Sequence, residues 1–73
     1  MCGIVGGIGK FDIRSYIIEG LKSLDYRGYD SAGIALKTAN KVWVYKIVGR
    51  VEQLEAKTPE IEGVTLGIGH TRW

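Results

Sequence analysis

Three short stretches of the 73-residue chain hold side chains whose types and spacing could do chemistry: Met1-Cys2-Gly3-Ile4-Val5-Gly6, then Asp25-Tyr26-Arg27-Gly28-Tyr29-Asp30-Ser31-Ala32-Gly33, then Gly69-His70-Thr71-Arg72-Trp73. The sole cysteine stands directly behind the initiator methionine. Removal of Met1 would make Cys2 the N-terminus, and an N-terminal cysteine carries a thiol and an α-amine on one residue, both titrating near neutral pH. The amine can then serve as base for the thiol beside it, so a nucleophile is activated without a His or Asp partner. Glycines at 3, 6, 7 and 9 suit such a site, since a substrate can approach backbone that has no Cβ in the way. The plainer alternative is that Cys2 is a small buried hydrophobe at the start of a strand. In the middle stretch, a helix end with Gly28 in left-handed conformation and Arg27 on the last carbonyls competes with a site role. In the last stretch Arg72 offers a guanidinium able to grip a carboxylate through two hydrogen bonds, against the alternative of an exposed ion pair. A lone histidine on an apolar strand such as His70 is more often a satisfied core residue than a catalyst.

Two nucleotide-binding readings fail on spacing. In a phosphate-binding loop ending at Gly9-Lys10, the next residue is Phe11 and the residue five before Gly9 is Ile4, where Ser or Thr and Gly are needed. A dinucleotide fingerprint begun at Gly7 requires glycine where Asp12 stands.

The elements that must position these side chains follow from periodicity. Gly3 to Gly9 predicts a short strand rich in β-branched residues and buried on both faces. Asp12 is a good N-cap for a helix over about Ile13 to Leu24, with Ile13, Tyr16, Ile17, Gly20, Leu21 and Leu24 on its inner side, Gly20 at a close contact with a sheet, and Arg14, Glu19, Lys22 and Ser23 largely on the other side. Ser31 to Lys37 and Val42 to Val48 read as an antiparallel hairpin about the polar turn Thr38 to Lys41. Val51 to Lys57 predicts two turns of helix stopped by Thr58-Pro59, Glu60 to Gly63 a loop, and Val64 to Gly69 a strand with His70 to Trp73 at its far end.

Size and composition bound what such a chain can be. One domain at most is expected, with only about 60% of its unfolded surface buried. One Cys and one His exclude an internal disulfide and a four-ligand zinc site built from those residues. The 25% of charged residues and formal charge of +2 are ordinary for a soluble globular protein, and cations are interspersed with acids, so neither nucleic acid nor membrane is indicated as a partner. The expected setting is cytoplasmic and reducing. Four strands and one or two helices, with small residues where a helix must pack, point to a layered helix-and-sheet domain rather than a bundle or closed barrel, and the abrupt stop at an aromatic residue reads as truncation.

In this order, the three stretches resemble the N-terminal glutaminase domain of the class II glutamine amidotransferases, in the glutamine–fructose-6-phosphate aminotransferase family. The Met1–Gly6 motif is similar across the whole class, including the amidophosphoribosyltransferase and asparagine synthetase branches. The run from Tyr26 to Gly33 resembles the sugar-phosphate branch more narrowly. The resemblance spans the chain but covers only the start of the glutaminase domain and nothing of the sugar-isomerising part. It implies an α+β fold, part of an N-terminal-nucleophile αββα sandwich with antiparallel sheets. It further implies Cys2 as the nucleophile that splits the glutamine amide, Arg72 on the glutamine α-carboxylate, Trp73 at the start of a loop that closes over glutamine, and Arg27, Gly28, Asp30 and His70 as supports of the site. The partners implied are glutamine and, through an absent second domain, fructose 6-phosphate, in a homodimer with no metal or other cofactor. The family's oxyanion-binding Asn-Gly pair and its Asp for the glutamine α-amino group would lie beyond residue 73. Another amidotransferase branch and a non-catalytic binding domain of the same fold remain as alternatives.

Overall fold

The computed structural model describes residues 2–24 and 30–72. The chain runs β1 (Gly3–Ile8), α1 (Ile13–Lys22), β2 (Ser31–Lys37), β3 (Val42–Val48), α2 (Val51–Lys57), β4 (Leu66–Arg72). All pairings are antiparallel and the sheet order is β1-β4-β2-β3. This is the α+β arrangement expected, with both helices on one face of a single sheet.

Helix α1 begins where the sequence places a cap. The Asp12 carboxylate accepts from the Ser15 N–H (3.2 Å) and from the Ser15 hydroxyl (2.7 Å), filling one of the orphan donors of the first turn. These bonds hold the Asp12 carboxyl below its ordinary range. Ile13, Ile17, Ile18 and Leu21 of α1 are buried with Ala32, Ile34 and Leu36 of β2 and with Val51 and Leu54 of α2. Ile18 joins this core although its position was not among those expected, while Tyr16 stays exposed and pairs edge-on with Phe11 at 5.5 Å.

Close approach of α1 to the sheet rests on missing side chains. A Cβ on Gly20 would lie 2.7 Å from Val5 Cγ1, and one on Gly67 would lie 2.6 Å from Ile13 Cγ2. The sheet contact expected of Gly20 is therefore real, and β4 answers it with glycine at the positions facing the helix.

Three expectations are corrected. Arg14 and Lys22 do not face away from the protein. The Arg14 guanidinium donates to the carbonyls of Thr58 (3.1 and 2.8 Å) and Glu55 (3.0 Å), taking up carbonyls at the end of α2, and the Lys22 ammonium sits 2.8 Å from the Glu55 carboxylate. A second helix lies beside α1, so its flank is an interface as well as a surface. Strand β4 spans Leu66–Arg72 rather than residues 64–69, because β1 and β2 hydrogen-bond to it on both sides as far as Gly3↔Thr71 and Ser31↔Arg72. Finally, β1 is covered on one face only: Val5 packs toward α1, while Ile4 is 74% exposed.

Among the described residues, the second face of the sheet has no cover. It carries Ile4 and Ile8 of β1, Leu66 and Ile68 of β4, Ala35 of β2 and Val42, Val44 and Val48 of β3, with Val48 89% exposed. No described helix is long and apolar enough to cross a membrane.

Candidate functional site

The uncovered face changes character along the strands. Side chains alternate between the two sides of a sheet, so paired residues share a side. On the uncovered side β4 presents Leu66, Ile68, His70 and Arg72 in turn, β2 presents Lys37, Ala35, Gly33 and Ser31, and β3 presents Val42, Val44, Lys46 and Val48. One end is apolar, and the other gathers Ser31, Lys46, His70 and Arg72.

Cys2 belongs to that polar end. It is exposed, with a free thiol, immediately before β1. The β1–β4 register pairs Gly3 with Thr71 and Ile4 with His70. Continued by one residue, the same register sets Cys2 opposite Arg72, and strand alternation gives it the same side as Ile4. The exposed thiol does not fit the reading of Cys2 as a buried hydrophobe. The one-residue continuation matters because neighbouring positions across an antiparallel pair have Cα atoms only about 4.5–5.5 Å apart.

Arg72 closes β4 and is exposed, and no carboxylate among the described residues is paired with it. Its backbone is anchored: the Arg72 carbonyl accepts from the Asp30 N–H at 2.8 Å, and the Asp30 carbonyl accepts from the Gly49 N–H at 3.0 Å. Asp30 thus ties the start of β2 to the ends of both neighbouring strands through its main chain. His70 is half-buried and lies over β2, where a Cβ on Gly33 would meet His70 Nε2 at 2.6 Å. The histidine is not in the buried core; it rests on bare backbone. Arg27 and Gly28, with the helix end anticipated around them, and Trp73 fall outside the described residues.

A concavity of about 280 Å³ opens between these strands, lined by Ser31, Lys46, Val48, His70 and Arg72. Ser31 and Lys46 were not anticipated. The signal was present for Lys46, because residues 42, 44 and 48 on the same side of β3 are all valine and a lone lysine interrupts that row. Among the described residues no cluster of His, Cys, Asp and Glu could hold a metal ion.

Sequence comparison settles the relationship. The chain is 52% identical over all 73 residues to glutamine–fructose-6-phosphate aminotransferase (isomerizing) from Bacillus anthracis, spanning 12% of that protein. This chain is related to the N-terminal segment of the glutamine–fructose-6-phosphate aminotransferases. The corresponding enzyme of Streptococcus pneumoniae is also 52% identical over 73 residues, and that of Helicobacter pylori 51% identical over 75, where the chain spans 13% of the relative. No protein-family description and no solved structure matches the chain. The chain spans about an eighth of the length of these aminotransferases.

Proposed function

We propose that this chain supplies the nucleophile and one substrate clamp of a glutaminase site, the half-reaction that releases ammonia from glutamine. The observation that carries the reading is the β1–β4 register, which pairs Gly3 with Thr71 and so brings the residues flanking that pair, Cys2 and Arg72, to the same end of the sheet. In this reading Met1 is removed. The Cys2 thiol passes its proton to its own α-amine as Sγ adds to the glutamine side-chain carbonyl carbon. The tetrahedral intermediate collapses with cleavage of the C–N bond, the ammonium returns the proton to the leaving nitrogen, and ammonia departs, leaving a γ-glutamyl thioester. Water then adds to the thioester, releasing glutamate and the free thiol.

Arg72 holds the glutamine α-carboxylate by a charge-assisted contact. Its strand position makes the clamp stiff: the backbone is fixed by β1 on one side and β2 on the other, so the carboxylate is held at a set distance from Cys2. Asp30 fixes the last carbonyl of that strand. By the resemblance, Trp73 would take part in closing over glutamine, and Arg27 and Gly28 would support the site. The ammonia is passed to fructose 6-phosphate in a second domain, giving the aminotransferase its overall reaction in a cytoplasmic homodimer.

The test uses a glutamine-shaped diazoketone, which alkylates a thiol after binding as glutamine does, on the chain with Met1 removed. Cys2 should react faster with it than with the analogue lacking the α-carboxylate, and Arg72→Ala should level the two rates. Equal rates in the unaltered chain would overturn the clamp, and modification at any site other than Cys2 would overturn the nucleophile.

A further inference from the structure

We propose that the outer edge of β3 is a self-association site, at which a second copy of this chain adds its own β3 antiparallel around a two-fold axis at Tyr45, joining two four-stranded sheets into one. The ladder between β2 and β3 fixes which backbone groups face outward. Hydrogen bonds run from the Gly49 N–H to the Asp30 carbonyl (3.0 Å) at one end and from the Thr38 N–H to the Lys41 carbonyl (2.9 Å) at the other. Hydrogen-bonded and non-hydrogen-bonded positions alternate along an antiparallel pair, so Trp43, Tyr45 and Ile47, opposite Leu36, Ile34 and Ala32, bond inward to β2. Val42, Val44, Lys46 and Val48 therefore turn both N–H and C=O away from β2, and among the described residues no strand lies beyond them. All four are exposed. Among the described residues one of these outward groups is covered: the Lys57 ammonium, at the end of α2, donates to the Lys46 carbonyl at 3.2 Å. That bond is independent evidence that the Lys46 carbonyl points outward.

A row of unpaired N–H and C=O groups is a template for another strand, and the occupant it fits is β3 itself. A two-fold axis at Tyr45 sets Val44 against the second copy's Lys46, Val42 against its Val48, and the two Tyr45 side chains against each other. The outward groups then meet as hydrogen-bonded pairs, and the tyrosines take the non-hydrogen-bonded position, where side chains come closest. Each Lys46 lies beside a valine of the other copy. Slipping the pairing by two residues one way sets Lys46 opposite Lys46, a destabilising like-charge pair; slipping it the other way leaves Val48 with no partner in β3. Charge and length thus select one register. Apart from Lys46, the strand Val-Trp-Val-Tyr-Lys-Ile-Val consists of β-branched and aromatic residues suited to pairing. The outer edge of β1, by contrast, carries Gly3, Gly6 and Gly7, which weaken a strand and leave its register poorly specified. Lys57 opposes the association, since its ammonium must give up the Lys46 carbonyl before a strand can bond there. Neither Cys2 nor Arg72 takes part, so the edge stands or falls separately from the glutaminase reading.

The experiment is sedimentation equilibrium of the 73-residue chain, with amide hydrogen exchange read by NMR across a concentration series. A monomer–dimer equilibrium is expected, and exchange at the Val42, Val44, Lys46 and Val48 amides should slow as the concentration rises. Val44→Pro removes an N–H that β2 does not use, a position where an edge strand tolerates proline; it should abolish the dimer while the cross-strand contacts between β2 and β3 persist. Val44→Lys places like charges opposite each other twice in the dimer and should weaken it about two- to thirtyfold. Val44→Lys/Lys46→Glu turns both clashes into opposite-charge pairs and should restore association, which a register with Val44 opposite Val44 would not allow. Lys57→Met frees the Lys46 carbonyl and should tighten the dimer. A chain that stays monomeric, association that leaves the four outward amides unprotected (as packing through the open sheet face would), or a charge-swapped variant no better than Val44→Lys would overturn the inference.

Discussion

Replacing Gly69 by alanine tests how tightly the helix layer is pressed onto the strand that carries Arg72. A Cβ at Gly69 would stand 2.5 Å from Ile17 Cγ2, 2.9 Å from Leu21 Cδ1 and 3.3 Å from Leu21 Cγ. Both neighbours are buried side chains of α1, so neither can swing into solvent. Forcing one methyl into a packed core costs about 1–3 kcal/mol. Alanine also narrows the unfolded ensemble, which returns about 0.4–1 kcal/mol, so a net loss of about 1–2 kcal/mol is expected. Urea unfolding followed by circular dichroism measures it. Ile17→Ala removes the clashing Cγ2, whereas Ile17→Val keeps it. The double variant Gly69→Ala/Ile17→Ala should therefore be more stable than the sum of its single effects, and Gly69→Ala/Ile17→Val should show no such relief. Additive behaviour in the alanine pair, or a Gly69→Ala chain as stable as the parent, would refute the close-packing account.

Arg14→Met should lower stability by about 1–2 kcal/mol in the same assay, because hydrogen bonds from a charged donor are among the stronger ones and carbonyls of Glu55 and Thr58 lose theirs. Asp12→Ala should cost about 1 kcal/mol through loss of the N-cap. Asp12 is held below its ordinary value by the Ser15 hydroxyl and N–H, and Glu55 by the Lys22 ammonium. A depressed carboxyl stabilises the fold above its unfolded pKa, near about 4, and that contribution drains away as pH falls through the lower folded value. Thermal melts of Asp12→Ala between about pH 5 and pH 2, which spans that window, should accordingly show a shallower acid-side loss than the parent. The 73-residue chain alone should release no ammonia from glutamine even with Met1 removed, since its one asparagine, Asn40, is followed by Lys41 and no Asn-Gly pair is present to meet the oxyanion; loss of even one such donor costs about 10² to 10³ in rate. Coupled glutamate dehydrogenase detection of product checks this, and turnover abolished by Cys2→Ala would show that the smaller unit suffices.

Local signals made β2, β3 and α2 legible to the residue, because alternation, a polar turn and a short run of helix formers each act within a few neighbouring positions. Asp12 was readable as a cap for the same reason. The misjudged features all depend on what lies far off in sequence. Placing Arg14 and Lys22 on the side of α1 opposite its apolar positions took no account of α2, which lies far on in sequence and meets that flank. Strand β4 extends to Arg72 because two partners distant in sequence continue to pair with it, and no local pattern in His70-Thr71-Arg72 announces this. Of the candidate site, Cys2 and Arg72 were identifiable by residue type and by resemblance, but their shared end and side follow from the register. Lys46 was visible only as a break in a valine row whose meaning depends on which side of the sheet is covered.

The sheet order also has a consequence for how the protein is made. Of the four described strands β1 leaves the ribosome first and β4 last, yet among the described residues β1 pairs only with β4. During synthesis the β2–β3 hairpin can close at once, since its halves are separated by a short turn, while β1 waits with both of its hydrogen-bonding edges unpaired. The arrival of β4 then joins the waiting strand to the hairpin in one event that pairs Gly3 with Thr71. Pairing of segments so far apart is intrinsically slow, and a strand left waiting is prone to find the wrong neighbour. The cysteine is thus synthesised long before Arg72, and the two come to the same end of the sheet only when the central strand has been inserted.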